Sequence, residues 1–444
     1  MKRKIFLNLI FLLFPLAMIF AQEQNSSLNL TLKQAQDYAV SNNKAVKSAK
    51  LDVMASKAAV WETISAALPS VEGSGSFTDN LKLMTTLLPG EFFGQPGEKI
   101  PVTFGSKYNT GVSVQASMLL FNAPLYIGIE TTKLANKLSE QNLERTELDI
   151  KESVSTVYFL ILVAEESLRI LDSNIVNLNE TLRSVKSMYQ VGMAESTDVD
   201  QMMSNVTMAE NSRSTLLRNI ELDYNLLRFQ LGVPGNTEIS LTETLENLID
   251  QINVDAILSQ KFDINNNVDY KLITMQEEIS KLTVMSQKAS VLPTLAGFYT
   301  YGTNGMGDKV SDQRWFPNSM VGLQLSIPVF ASGQRYTKIK KAQLDLSKAR
   351  NNKALVTDQL LMQEKQLRYD LVNANLQYLS QKDNVEVSKR VYTSMENKYR
   401  QGMASSLELT QANSQYLQAE NNYITSLMSL LQTKVALDKL MNNM

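Results

Sequence analysis

The 444-residue chain contains no cysteine and no histidine. Without cysteine it has no disulfide framework and no thiol for an acyl anchor at a mature N-terminus. Without histidine as well, the commonest metal ligands and the commonest general base are missing. Carboxylates, lysines, tyrosines and hydroxyls remain, and no motif gathers them for chemistry, so no catalytic residue, metal or cofactor is expected. Excess positive charge is absent too: 43 Lys and Arg face 45 Asp and Glu, a net of −2. That balance argues against nucleic acid, which selects a basic face. Glycine and proline are scarce, 18 and 10 residues, and very unevenly spread.

The chain opens "MKRKIFLNLIFLLFPLAMIFAQEQ". Lys2, Arg3 and Lys4, an apolar run from Ile5 to Phe20 and the small Ala21 follow the layout of a secretory signal peptide, predicted over 1–21. The other reading is a membrane anchor, but Asn8 and Pro15 interrupt a run already short for a span. Its removal leaves 40 basic against 45 acidic residues, a net of −5. Beyond it no apolar run approaches the ~20 residues of a spanning helix.

The remainder is written twice. "SMYQVGMAESTDVDQ" from Ser187 matches "NKYRQGMASSLELTQ" from Asn397 at an offset of 210. Tyr189 falls on Tyr399, Gly192 on Gly402, Asp198 on Glu408 and Gln201 on Gln411. "ALPSVEGSGSF" resembles "VLPTLAGFYTY", "VSVQASMLLFNAP" resembles "VGLQLSIPVFASG", and "NNKAVKSAKLDVMASKAAV" echoes "NNVDYKLITMQEEISKLTV". A period this long indicates a duplicated domain rather than a solenoid. The expected units are 22–235 and 267–444, with 236–266 between them.

Within each unit the texture alternates. Twelve of the 18 glycines lie in Pro69–Phe121 and Pro293–Phe330. Between Leu125 and Val191 there is one glycine and no proline; between Gln334 and Gln401 there is neither. Each run of about 67 residues would make a helix of ~100 Å. Such lengths point to coiled coils. The segment after each "GMA" is shorter, about 38 residues. In the last one, Leu409, Ala412, Tyr416, Ala419, Tyr423, Leu427 and Leu430 step by three and four, a packing seam.

The glycine-rich windows read as strands. Val112, Val114, Ala116, Met118 and Leu120 alternate with small or polar residues, as do Val321, Leu323, Leu325, Ile327 and Val329. With partners at about 70–79 and 294–303, strands at about 108–121 and 319–330 give four per chain. The alternation fits either transmembrane barrel strands or a soluble sandwich. Four strands cannot close a barrel, and an open edge cannot face lipid. Strands placed in a membrane therefore require several chains, and three would supply 12.

Taken in order, these motifs resemble the TolC-like outer-membrane efflux channel family over essentially the whole mature chain. They include "LTLKQAQDYAVSNN", "ALPS" and "VLPT", "LLFNAP" and "PVFASG", the two "GMA" turns and "QAENNYITSLMSLLQTKVALDKL". The resemblance implies a mainly α chain with a transmembrane β part: duplicated helical hairpins and two strand pairs that trimerise. The trimer would combine a 12-stranded barrel in outer-membrane lipid with an α-helical periplasmic barrel. It also implies an efflux or secretion conduit joined by a periplasmic adaptor protein to an inner-membrane pump, proton-driven or ATP-driven. The competing classes are a structural periplasmic coiled-coil protein and a soluble helical binding protein.

Gly192 and Gly402 suit left-handed residues past helix ends, with Ser196–Thr197 and Ser405 as the next N-caps. The resemblance places a closed gate at this periplasmic tip, formed by Asp198, Glu408, Thr197, Gln411 and Tyr399. Val191, Gly192, Met193, Gln401, Gly402 and Met403 would meet the adaptor. Ser405 and Glu408 equally read as a capping box, so Glu408 either lines the pore or only caps its helix. The family's gate arginine is missing, with Ala404 in its place, and Arg400 is not assumed to replace it.

Overall fold

The computed structural model describes residues 27–94, 97–250 and 252–444; the expected signal peptide lies outside them. In chain order, the first half comprises β1 (Leu28–Leu30), α1 (Leu32–Asn42), α2 (Lys44–Ser65), β2 (Ser70–Asp79), β3 (Met84–Pro89), β4 (Lys99–Phe104) and β5 (Tyr108–Phe121). The hairpin α3 (Ala123–Gln190) and α4 (Ser196–Leu231) completes it. After β6 (Ile239–Leu241), α5 (Leu245–Asp250) and α6 (Val254–Ser259), the second half repeats the plan. It runs α7 (Val268–Ala289), β7 (Thr294–Gly307), β8 (Arg314–Ser326), α8 (Gln334–Arg400) and α9 (Ser406–Met441).

The long helices span 68 residues in α3 and 67 in α8, each ~100 Å from end to end. They are the axis on which three layers are built. In the first layer, β2-β5-β7-β8 form one antiparallel four-stranded sheet. In the second, α2 packs on α3, α3 on α7, and α7 on α8. In the third, α4 packs on α3, α3 on α9, and α9 on α8. Between the second and third, the parallel pair β1–β6 lies with α1 and α5 over the helices.

Register sorts the sheet into two faces. Val71, Val114, Tyr301 and Ser319 share one face across the strands, with Leu323, Leu325 and Tyr299 beside them. The opposite face is mostly small and polar, with Phe316 and Met320 as apolar exceptions: Ser74 bonds Ser113 at 2.8 Å and Ser70 bonds Ser117 at 3.0 Å. Phe298 covers Gly322 on that face, where any Cβ would lie 2.6 Å from its ring. Strands of 13–14 residues are long enough to cross a bilayer when tilted.

Two expectations need correction here. The fourth strand, expected over 319–330, runs from Arg314 to Ser326. It stops early because Thr294–Ser326 is the last pair and Pro328 has no N–H to extend the ladder. The third strand likewise continues past 303 to Gly307, since Asn304 pairs with Phe316 beyond the expected strand end. The longer loop, 80–107, contains the separate hairpin β3–β4, which the sequence reading did not foresee.

A core midway along the long helices holds the two halves together. Val154, Tyr158 and Ile161 of α3 meet Leu227 and Leu231 of α4, Leu371 of α8, and Leu427, Leu430 and Leu431 of α9. Each fully buried side chain of this size contributes roughly 1.5–3 kcal/mol. Tyr158, the largest, donates its hydroxyl to the Leu30 carbonyl at 3.1 Å, so its polar end is satisfied. The duplication is repeated in detail. Asn43 caps α2 and donates to the Gln230 carbonyl of α4 at 2.7 Å. Asn267 caps α7 and donates to the Leu440 carbonyl of α9 at 2.9 Å. Both return helices end on a left-handed residue, Gly232 and Asn442. At Gly232 a side chain is also excluded sterically, because a Cβ would sit 2.7 Å from the Asn42 carbonyl.

Candidate functional site: the helical tip

The ends of α3, α4, α8 and α9 furthest from the sheet converge on one tip. Their contacting faces form a second core of Leu178, Leu182 and Val185, Met202 and Val206, Tyr392 and Tyr399, and Leu409 and Ala412. The predicted seam of α9 runs between these cores: Leu409 and Ala412 lie in one, Leu427 and Leu430 in the other, and Ala419 is buried between them. Tyr416, on the same seam, stacks on Tyr392 at 5.9 Å. Burial pushes the Tyr392 hydroxyl up to about 12, Glu396 adding to the shift.

Each turn is closed by its backbone. Gly192 and Gly402 have φ of +73° and +72°. The N–H of Met193 bonds the Met188 carbonyl, and that of Met403 the Lys398 carbonyl, both at 2.8 Å. This six-to-one bond with a left-handed glycine is a Schellman closure. The closures leave Val191, Met193 and Met403 exposed at 70%, 76% and 66%. Gln401 is exposed as well. Leu407, exposed at 72%, joins this apolar rim, and the sequence reading had not included it.

The capping differs between the turns. Ser405 caps α9 as expected, its hydroxyl accepting from the Glu408 N–H at 3.3 Å. The Glu408 carboxylate in return accepts the Ser405 N–H at 2.7 Å and its hydroxyl at 2.9 Å. These bonds hold the Glu408 carboxyl below its ordinary range. For α4 the cap is Glu195, not Ser196 or Thr197. Ser and Thr are the usual cap types, but position 195 is the repeat equivalent of Ser405, and Asp198 accepts the Glu195 N–H at 3.1 Å. Thr197 is exposed and donates to Glu195 at 3.2 Å.

Between the hairpins lies a polar seam. Ser406 donates its hydroxyl to the other oxygen of Asp198. Asn205 donates to Thr410 at 3.3 Å, and the buried Asn174 to Asn413 at 2.8 Å. Arg400 pairs with Glu396 at 2.7 Å on its own helix and reaches Glu180 of α3 at 3.8 Å. Tyr399 is buried beside this seam; burial raises its pKa, and the Asp198 charge adds to that. Gln411 is exposed on α9. The tip therefore brings Asp198, Tyr399 and Ser406 together, while Glu408 serves its own turn. Ser406 was legible only as the repeat partner of Ser196, and the Arg400–Glu180 contact joins residues 220 apart with no shared motif.

Among the described residues, no helix is long and apolar enough to cross a membrane, a statement that does not bear on the strands. The family model described as outer membrane efflux protein matches residues 21–233 and 274–443. The outer membrane protein TolC of Vibrio cholerae is 19% identical over 240 residues, covering 52% of this chain and 53% of that protein. The chain thus spans about half the length of that curated relative. The toluene efflux pump outer membrane protein TtgF of Pseudomonas putida is 20% identical over 407 residues, 90% of this chain and 81% of its own. In structure, the outer membrane protein VceC of Vibrio cholerae superposes with a TM-score of 0.73 at 13% identity. That superposition covers 92% of this chain and 95% of VceC, and establishes likeness of fold.

Proposed function

Because the chain belongs to the outer membrane efflux protein family, we propose that three copies close head to tail into one passive conduit through the outer membrane and periplasm. One observation carries this reading: every layer ends in one element from each half of the chain. The sheet ends in β2 and β8, the second layer in α2 and α8, and the third in α4 and α8. All of these edges are unfinished. β2 and β8 each leave one side of the ladder unpaired, which lipid does not tolerate. Leu51, Met54 and Trp61 on α2, Leu222 and Phe229 on α4, and Leu355, Met362, Tyr369 and Leu376 on α8 are exposed. The α8 set repeats every seven residues, the spacing of a coiled-coil seam. Joining the first-half edge of one copy to the second-half edge of the next satisfies all three layers at once. Two copies would give eight strands, an interior that side chains fill; three give twelve and leave a channel.

The domain reading follows: repeats at 22–235 and 267–444, joined by a linker at 236–266 that forms a belt around the conduit. At the tip, Asp198, Glu408, Thr197, Gln411 and Tyr399 serve as the periplasmic gate. Three copies of Asp198 and Glu408 would ring the entrance with carboxylates, favouring cations over anions. The Ser406–Asp198 bond holds the two hairpins of a copy together and keeps the entrance narrow. The apolar rim of Val191, Met193, Met403 and Leu407, with Gly192, Gln401 and Gly402 in its turns, is the surface for a periplasmic adaptor, which couples the conduit to an inner-membrane pump.

The test is reconstitution of the mature protein in planar bilayers. Discrete channel conductance with cation preference is expected, rising when Asp198 and Glu408 are both replaced by Ala. Absence of any conductance, with the protein folded in the bilayer, would leave a purely structural coiled-coil role.

A further inference from the structure

The hairpin β3–β4 belongs to neither the sheet nor the helical layers. Its pairs are Met84–Phe104, Thr85–Thr103, Thr86–Val102, Leu87–Pro101, Leu88–Ile100 and Pro89–Lys99. Because opposed residues share a face, Met84, Leu88, Ile100, Val102 and Phe104 lie on one side, broken only by Thr86. The other side carries Lys99 and a Thr85–Thr103 bond of 3.3 Å, together with Leu87, Pro89 and Pro101, so it is mixed where the first is almost wholly apolar. Among the described residues its two strands pair only with each other, and Met84 and Phe104 remain exposed at 71% and 48%. A lone two-stranded hairpin is marginal in water, so this apolar face needs a cover.

Lipid is poorly placed to provide it. The sheet's lipid-side face ends at this rim in Phe77 stacked on Tyr108, with Trp315 nearby along the same edge, which is where an aromatic girdle belongs. Beyond that girdle come Asp79, Asn80, Lys82, Lys107, Asp308 and Lys309, a mainly polar collar between hydrocarbon and hairpin that also exposes Leu81. Gly105, at φ +103°, bends the chain between collar and hairpin. The hairpin also continues from β2, the edge that meets the next copy when the ring closes.

We propose that the three β3–β4 hairpins of an assembled ring pack their apolar faces on one another across the outer mouth, forming an external constriction. This rests on the ring closure argued above. The reach is sufficient: six paired residues extend ~20 Å, whereas twelve tilted strands enclose a radius of ~12 Å. The constriction is a second narrow point at the opposite end of the conduit from the helical tip, and it is apolar where the tip is acidic.

The cysteine-free chain makes the test clean. Leu88→Cys, on the apolar face, and Thr85→Cys, on the other, are introduced singly and oxidised in outer membranes, and covalent dimers are read on non-reducing gels. The assembly size of the same samples is measured in parallel. At least fivefold more covalent dimer for Leu88→Cys than for Thr85→Cys is expected, with assembly intact. An intact trimer with no preference between the two positions overturns the proposal, as does protection of Leu88→Cys from a water-soluble maleimide by lipid alone. Loss of the trimer in the unsubstituted protein would instead sink the ring closure beneath it.

Discussion

Ser406, in the first turn of α9, donates its hydroxyl to the carboxylate of Asp198 in the first turn of α4, tying the start of one return helix to the other. The same carboxylate also accepts the Glu195 N–H, so one residue completes the capping box of its own helix and bridges the hairpins. Ser406→Ala removes only the bridge. A hydrogen bond to a charged group is worth roughly 1.5–3 kcal/mol, so the open fraction in bilayer recordings should rise about tenfold or more. Asp198→Ala should exceed that, because it also breaks the capping box in which Asp198 accepts the Glu195 N–H. Identical gating in Ser406→Ala and the parent would remove the bond from the gating account.

Acidification provides a second reading of the tip. The Glu408 carboxyl is held below its ordinary value by the Ser405 N–H and hydroxyl. A depressed folded pKa gives stabilisation that is complete above the unfolded value of about 4.3 and is lost as pH falls through the folded one. Amide protection at residues 405–409, taken relative to the intrinsic exchange rate at each pH, should therefore be constant around neutral pH and fall below about pH 4. Glu408→Gln keeps a capping side chain and should flatten that dependence. An unchanged pH profile in this variant would mean that another group controls the turn.

Arg400 is the obvious substitute for an arginine at position 404, yet its cross-hairpin contact is weak. Its pair with Glu180 is 3.8 Å long and about half exposed on both sides. Pairs of that kind contribute at most about 1 kcal/mol. A double-mutant cycle of Arg400→Ala and Glu180→Ala, scored on open fraction, should return a coupling below ~1 kcal/mol. A coupling above ~2 kcal/mol would make Arg400 the latch.

How much of this was legible in the sequence depends on the range of the interaction. The long helices announce themselves locally, through runs without Gly or Pro, and the structure places α3 and α8 within a few residues of those runs. The turns at Gly192 and Gly402 follow from a left-handed backbone that glycine alone adopts easily. Strand ends were less legible. Pairing of Asn304 with Phe316 is decided by a partner strand, and the glycine-rich composition there reads equally as a loop. The β3–β4 hairpin was hidden for the same reason. The cap at Glu195 was missed because glutamate is an uncommon cap, chosen here by its place opposite Asp198. Ser406–Asp198 and Arg400–Glu180 join chain segments about two hundred residues apart, which local pattern does not encode.

The two faces of the sheet make a prediction about placement. Val114→Arg and Leu325→Arg put charge on the face assigned to lipid, at a penalty of roughly 2–4 kcal/mol near the bilayer midplane. Both should reduce the amount of protein recovered in outer membranes severalfold. Gln115→Arg, one residue along but on the polar face, should assemble normally. Equal recovery of all three variants would mean that this face does not meet lipid.

Ring closure from three incomplete layers is the central claim, and the mass of the assembly tests it most directly. Native mass spectrometry of the protein extracted from outer membranes should show a single species of three chains. Phe229→Glu combined with Met362→Glu, which places like charges on the two helical edges that meet, should reduce that species to monomers. A parent protein that is monomeric or dimeric in the membrane extract would contradict the account.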